Sequence, residues 1–235
     1  MNKALISSVG AMSAASLYYL NDQKRRTQQA QALERPQANS FRASYANIPH
    51  YKKKDRGGED AWICNDQLIA VADGVGGWNK KGVDPGIFAR ELCNHVTNKF
   101  NSLRTAGHKG RYEIDLWKLL VNSVQDTKAR GTSTFVMAVL DEEDAHLRAL
   151  NLGDSGYTIY RPPQVAQEKA DFEKLFHSEE KQYKFNHPYQ CGTNYKMPWH
   201  SDVHLHRVQD GDVLILATDG VYDNLRDPHV ETCLQ

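Results

Sequence analysis

Acidic residues follow several apolar runs in this 235-residue chain. Asp73 follows the run 67–72 and Asp219 follows the run 212–217, and a glycine comes directly after each of them. Asp154 lies just beyond a third such run. A buried carboxylate is costly unless it is paired, and carboxylates that converge repel one another unless a cation neutralises them. Oxygen ligands select hard cations, so the pattern indicates Mg²⁺ or Mn²⁺.

Three further acids occupy similar positions. Glu59 and Asp60 open the first apolar run, and Asp223 lies one helical turn after Asp219. Two cations about 3.5–4 Å apart can share a water and lower its pKa, so that hydroxide attacks a phosphoryl group in line. A single Asp-Gly pair after a strand is most often only a turn. The prediction therefore requires several of these acids to meet in space.

Local patterns predict the elements that position the acids. The runs 61–64 and 67–72 flank Asn65-Asp66, a two-residue turn signal that predicts a β-hairpin. Two helices follow, because apolar residues recur every three or four positions after the capping residues Asp84 and Asp115. The segment Asp73-Gly74-Val75-Gly76-Gly77 has three glycines in four positions. This predicts a loop in which the backbone closely approaches another group.

The second half of the chain alternates strands with turns. Strands are predicted at 132–140, 146–152, 157–161, 203–208 and 212–217. Asp210-Gly211 predicts a hairpin turn between the last two. The polar stretch 162–201 is predicted to be an extended loop or insertion. Strands, then helices, then strands predict an α+β sandwich rather than alternating βαβ units.

Residues 1–42 differ in composition from the rest. Residues 4–20 carry no charge, and Asp22 is the only acid before Glu34. This composition is typical of an organelle-targeting segment, with a weak membrane anchor and a disordered tail as alternatives. Residues 27–42 form a polar linker, so the predicted division is 1–42 and a folded domain at 43–235.

Composition narrows the classes of partner. Lys plus Arg and Asp plus Glu number 29 each, so no overall field attracts nucleic acid. The four cysteines are far apart, which argues against a disulfide framework or zinc knuckle. The loop 74–77 lacks Gly-Lys-Ser/Thr, which argues against a nucleotide site. A zinc site on His200, His204 and His206 is an alternative that lacks a fourth ligand.

Five segments in order resemble the type 2C metal-dependent protein phosphatases, over residues 43–235. They are Gly58-Glu59-Asp60-Ala61, Ala72-Asp73-Gly74-Val75-Gly76-Gly77-Trp78, Gly131-Thr132-Ser133-Thr134, Asn151-Leu152-Gly153-Asp154-Ser155-Gly156 and Ala217-Thr218-Asp219-Gly220-Val221-Tyr222-Asp223-Asn224. The Val-Gly-Gly-Trp form and the Gly82-Val83-Asp84-Pro85 segment are similar to the mitochondrial, Ptc7-like branch of that family.

The resemblance implies an α+β fold with a central antiparallel β-sandwich flanked by helices. It implies hydrolysis of phosphoserine or phosphothreonine in phosphoproteins by a water that bridges two Mg²⁺ or Mn²⁺ ions. The implied metal ligands are Glu59, Asp60, Asp73, the carbonyl of Gly74, Asp154, Asp219 and Asp223. Asp73 would bridge both ions and Asp219 would bind one of them, which makes these two the catalytic acids. Asp154 and Asp223 match a weaker third site.

The chain departs from the family pattern at three places. Val75 stands where many members have a histidine, and Asp55 stands where they have a phosphate-binding arginine, which leaves Arg56 or Lys54 for that role. The chain stops at Gln235, before the last metal-binding aspartate that the family carries, which predicts a C-terminally incomplete domain. The alternative function is therefore a catalytically impaired homologue that binds phosphoproteins or regulates a partner. A mitochondrial location is expected, with membrane association only through residues 4–20.

Overall fold

The computed structural model describes residues 39–107, 114–163, 171–194 and 196–234. The chain divides into two units, 1–38 and Asn39–Gln235, and the first lies outside the described residues. The strands are β1 Asp60–Cys64, β2 Leu68–Asp73, β3 Thr132–Ser133, β4 Phe135–Leu140, β5 His146–Leu152, β6 Gly156–Arg161, β7 Glu173–His177, β8 Gln182–Lys184, β9 His187–Pro188, β10 Cys191–Gly192, β11 Asp202–Arg207 and β12 Val213–Ala217. The helices are the 3-10 helices Tyr51–Arg56 and Gly76–Lys81 and the α-helices α1 Pro85–Thr105, α2 Leu116–Asp126, α3 Asp219–Tyr222 and α4 Asp227–Leu234.

Two antiparallel sheets form the centre of the fold. The larger has the strand order β1-β2-β4-β5-β11 and the smaller has the order β12-β6-β7. One apolar cluster joins Val136, Ala138, Leu147 and Ala149 of the larger sheet to Tyr157 and Ile159 of the smaller. The predicted antiparallel β-sandwich is therefore confirmed.

The first two α-helices cover the other face of the larger sheet. Phe88, Leu92 and Phe100 of α1 share an apolar cluster with residues of β1, β2 and β4. Both helices begin where their caps predict, because Asp84 Oδ1 accepts a hydrogen bond from Gly86 N at 3.0 Å, and Asp115 caps α2 in the same way. Among the helices of the described residues, none has the length and apolarity needed to cross a bilayer.

The prediction of an extended loop over 162–201 is wrong. This stretch contains β7 to β10, and β7 pairs with β6 as the third strand of the smaller sheet. Phe176 is the partly buried position of β7 and the other residues of that strand are exposed. An edge strand that presents so little apolar surface to the core leaves no alternating signal in the sequence.

The prediction that β11 and β12 form a hairpin is also wrong. A turn does occur at Asp210-Gly211, where Asp212 N donates to Gln209 O at 3.1 Å. However, β11 pairs with β5 in the larger sheet and β12 pairs with β6 in the smaller one. The turn therefore carries the chain from one sheet to the other, because each strand finds its partner among strands distant in sequence.

Candidate active site

The β1–β2 hairpin brings the first set of predicted acids together. Asp60 begins β1 and lies directly opposite Asp73 at the end of β2. Glu59 immediately precedes β1, and its backbone oxygen accepts a hydrogen bond from Gly74 N at 3.1 Å. The hairpin predicted from the turn at Asn65 is confirmed, and its register places three acids and Gly74 at one end.

Gly74 is a glycine because the backbone there touches two other segments. A Cβ at this position would lie 2.7 Å from the carbonyl carbon and oxygen of Pro85 and 2.8 Å from the carbonyl oxygen of Glu59. Any side chain would push the start of α1 away from β1. The Asp73-Gly74 pair is therefore a site of close packing, as the glycine-rich sequence predicts, and more than a turn.

Ser133 and Thr134 fix the backbone of Asp73. Ser133 Oγ donates to Asp73 O at 2.8 Å, and Thr134 N donates to the same oxygen at 3.0 Å. Asp73 N donates in turn to Thr134 Oγ1 at 3.3 Å. The strand predicted over 132–140 is broken at Thr134, and these contacts use the groups that the break leaves free. Three hydrogen bonds therefore hold the backbone of Asp73 in place.

The other acids lie in segments next to strands β6 and β12 of the smaller sheet. Asp154 is 6% exposed and lies in the turn between β5 and β6. Asp219 begins α3, directly after β12, and the pairing of Gly156 with Ala217 brings these two regions together. Asp223 N donates to Asp219 O at 2.8 Å, so Asp223 lies on the same helical turn.

The pKa shifts show that these acids act on one another. Burial, then the charges of Asp60 and Asp219, raises the pKa of Asp73 to about 9. Burial and the charge of Asp219 raise the pKa of Asp154 to about 6, and both causes also raise the pKa of Asp60 and of Asp223. Five aspartates from distant parts of the chain thus form one electrostatic group, here called the acid cluster.

The donor chemistry of the acid cluster fits hard divalent cations. All of its side chains are carboxylates, and the charges of Asp60, Asp219 and Asp154 all act on Asp73. In the described ranges, no three His, Cys, Asp or Glu side chains are already arranged as a metal-binding group. A divalent cation bound among these carboxylates would relieve their mutual repulsion.

Glu59 differs from the other acids because cationic and amide groups surround it. It is 7% exposed, its Oε2 forms an ion pair with Lys53 Nζ, and its Oε1 accepts from Asn79 Nδ2 at 2.6 Å. Arg56 lies 3.9 Å from the same Oε1 and donates to Asn79 Oδ1 at 3.3 Å, whereas Lys54 is exposed. The sequence did not indicate Lys53, which is one of three consecutive lysines in a polar run.

Glu180 is a second residue that the sequence did not indicate. Its charge contributes to the raised pKa values of Asp154 and Asp223. Two contacts hold its neighbours beside the acid cluster: Lys181 N donates to Gly153 O at 2.7 Å, and Asn151 Nδ2 donates to Glu179 O at 3.1 Å. Glu180 lies in the polar stretch after β7, where no apolar run marks a strand end.

The alternative zinc site on the histidines is wrong. His204 and His206 share one face of β11, but His206 Nε2 is hydrogen-bonded to Tyr157 Oη at 2.8 Å. His200 instead stacks on Tyr189 with ring centroids 3.8 Å apart. These rings are packed against aromatic neighbours, and none of the described residues forms a metal-ready group with them.

Protein phosphatases are among the proteins whose sequences match this chain. The chain is 40% identical over 187 residues to the probable protein phosphatase 2C 80 of Arabidopsis thaliana, covering 78% of this chain and 41% of that relative. It is 33% identical over 195 residues to the protein phosphatase PTC7 homolog fig of Drosophila ananassae, covering 75% and 54%. The chain therefore spans about half the length of these relatives or less.

Solved structures share the fold. The photosystem II phosphatase PBCP superposes with a TM-score of 0.67 at 27% identity, covering 80% of this chain and 69% of that one. The catalytic domain of the serine threonine protein phosphatase PstP, solved in complex with 2 manganese ions, superposes with a TM-score of 0.50 at 16% identity, covering 84% and 83%. The family model for protein phosphatase 2C matches residues 53–233. This chain therefore belongs to the protein phosphatase 2C family.

Proposed function

We propose that this chain catalyses metal-dependent hydrolysis of phosphoserine and phosphothreonine in proteins. The observation that supports this most directly is the acid cluster, in which the pKa of Asp73 rises to about 9. Carboxylates brought together in this way favour divalent cations over a protein counter-ion. Membership of the protein phosphatase 2C family supports the same reaction class.

The proposed ligands divide between two main cations and a weaker third. Asp73 lies opposite Asp60 in the hairpin and is acted on by the charge of Asp219, so it is suited to be shared between the two main ions, and the carbonyl of Gly74 is the proposed backbone ligand. Asp154 and the exposed Asp223 are the proposed residues of the weaker third site. The charge of Asp219 raises the pKa of both. When bound, Mg²⁺ or Mn²⁺ would activate water and neutralise charge on the phosphoryl group.

The protein's own residues hold this arrangement in place. Ser133 and Thr134 fix the main chain at Asp73, and Thr134 Oγ1 also contacts Ser155 Oγ at 2.6 Å, which connects the two loops that carry Asp73 and Asp154. Val75 has no ionisable proton, so position 75 cannot supply a general acid in this chain.

A direct test uses the purified full chain with a phosphothreonine peptide and with a small phosphate ester. We expect both to be hydrolysed in Mn²⁺ or Mg²⁺ and neither in excess chelator. Binding of the peptide without turnover at any cation concentration would instead support the impaired, phosphoprotein-binding homologue.

Arg56 is the proposed phosphate-binding residue. It is 42% exposed, reaches Asn79 and the carboxylate of Asp84, and lies at the rim of the site. Its fork of donors suits a phosphate dianion better than the ammonium of the exposed Lys54.

Replacing Arg56 with alanine should raise KM for the small ester by at least about tenfold, because a charge-assisted hydrogen bond contributes about 1.5–3 kcal/mol. The product, inorganic phosphate, should inhibit this variant correspondingly less. Lys54→Ala should change KM less than about twofold. If Lys54→Ala has the larger effect, the phosphate site is assigned to the wrong residue.

We also propose that the protein is mitochondrial. The support is the acid-poor composition of residues 1–42 and the similarity to PTC7 homologues. Residues 4–20, the proposed route to any membrane association, lie outside the described residues. Membership of the protein phosphatase 2C family supports phosphoproteins as partners, and the balanced charge gives no overall field that would attract nucleic acid.

The location is tested by fusing residues 1–42 to a fluorescent protein. We expect the fusion to enter mitochondria and a fusion with Arg25 and Arg26 changed to glutamate to stay outside, since presequences are rich in arginine and poor in acids. A diffuse signal from the unmodified fusion would remove this proposal without affecting the enzymatic one.

A further inference from the structure

Glu59 forms an ion pair with Lys53. Its Oε2 is paired with Lys53 Nζ and its Oε1 accepts from Asn79 Nδ2 at 2.6 Å, so both carboxylate oxygens are occupied. Asn79 is itself fixed, because Nδ2 also donates to Gly76 O at 2.8 Å. Side chains of the protein thus pair with Glu59 and orient it.

The ammonium of Lys53 lies close to the acid cluster. If Gly76 had a Cβ, that atom would lie 3.5 Å from Lys53 Nζ and 3.2 Å from Glu59 Oε2. The Lys53–Glu59 ion pair therefore lies against the second 3-10 helix, which begins at Gly76. The positive charge of Lys53 also acts on Asp60, where it opposes the rise in pKa that the other acids cause. A divalent cation at Glu59 and Asp60 would meet Lys53 directly.

We propose that Lys53 is a built-in competitor for the divalent cation at Glu59, so that a metal must displace its ammonium before Glu59 can act as a ligand. This inference rests on the proposed function, because it concerns the same metal site. Glu59 is buried and Lys53 is 32% exposed, so exchanging the ion pair for a metal carries the cost of separating Lys53 from a buried carboxylate. Lys53 therefore weakens cation binding and sets the cation concentration at which the site fills.

The test measures Mn²⁺ binding to the full chain by calorimetry and by thermal shift, without substrate. Lys53→Met should lower the melting temperature of the metal-free protein, because it removes the closer of the two cations beside the buried Glu59 and leaves Arg56 at 3.9 Å. It should also lower the Kd for Mn²⁺ about tenfold, since the competing charge is gone. The matched control is Lys52→Met, which removes an exposed lysine of the same 3-10 helix and should leave Kd within about twofold.

A second variant keeps the test decisive if Lys53→Met does not fold. Lys53→Arg retains the positive charge and can pair with Glu59 through two parallel hydrogen bonds, so it should bind Mn²⁺ no more tightly than the wild type. An unchanged or higher Kd in Lys53→Met, or a lower Kd in Lys53→Arg, overturns the inference alone. Absence of Mn²⁺ binding in the wild type and in all variants overturns the proposed metal site and this inference with it.

Discussion

Replacing Asp73 with asparagine should reduce kcat/KM for a small phosphate ester at least about 10³-fold, with Mn²⁺ saturating for the wild type. Asp73 lies opposite Asp60 in the hairpin and is acted on by the charge of Asp219, so its loss removes the ligand proposed to be shared between two cations. Loss of about 4 kcal/mol of transition-state stabilisation corresponds to this factor. Steady-state kinetics over a range of Mn²⁺ concentrations measures the effect.

The matched control is Asp66→Asn, which makes the same chemical change at an exposed turn of the same hairpin. It should retain activity within about twofold, as surface substitutions usually do. Asp73→Asn should remain folded, because it keeps the shape of the side chain and its neutral charge, which the raised pKa of Asp73 already gives the metal-free protein near neutral pH. An Asp73→Asn enzyme that keeps more than about a tenth of the wild-type activity contradicts the proposed role.

The metal-free protein should lose stability as pH rises. The pKa of Asp73 rises from 3.8 to about 9 on folding, so between these values the folded state binds more protons than the unfolded state. The free energy of unfolding then falls with pH, by up to about 1.4 kcal/mol per pH unit for one proton. The contribution of Asp154 is confined to lower pH, since its pKa in the folded state is about 6. Urea unfolding in chelator between pH 6.5 and pH 8.5 measures the slope.

Two comparisons identify the group responsible for that slope. Asp73→Asn should flatten the profile over this pH range, whereas Asp66→Asn should follow the wild type. Saturating Mn²⁺ should also flatten the wild-type profile, because a bound cation favours the deprotonated carboxylates in the folded state. A wild-type profile in chelator that is flat or rises with pH would show that the carboxylates do not repel one another.

The elements with local signals were predicted correctly from the sequence. Asn65 Oδ1 accepts hydrogen bonds from Gln67 N and Leu68 N, so the turn that sets the β1–β2 register is determined within four residues. The caps Asp84 and Asp115 likewise act on residues two or three positions away. Such features depend on neighbouring residues, which is why pattern and spacing suffice to find them.

The pairing of strands could not be predicted in the same way. Val203 pairs with Leu150 in one sheet and Val213 pairs with Tyr160 in the other, although only a short turn separates β11 from β12. The choice of partner is decided by burial between two sheets, and a hairpin signal says nothing about it. The exposed strand β7 gave no apolar alternation at all.

The residues around the site also fall into those that the sequence could predict and those that it could not. Asp73, Asp154 and Asp219 were predicted because each follows an apolar strand, and the structure brings them together. Lys53 and Glu180 lie in charged or polar segments without periodicity, and their place in the site comes from tertiary contacts alone. A sequence can therefore reveal acidic residues that follow apolar strands, but not the charged residues that tertiary contacts place around them.

The central claim is that acids from distant segments share hard divalent cations, and calorimetric titration of the full chain with Mn²⁺ tests it most directly. Saturable binding by the wild type and by Asp66→Asn, at about two ions per chain and strongly weakened in Asp73→Asn, is the predicted result. Absence of binding by the wild type, or equal binding by Asp73→Asn, would contradict the claim.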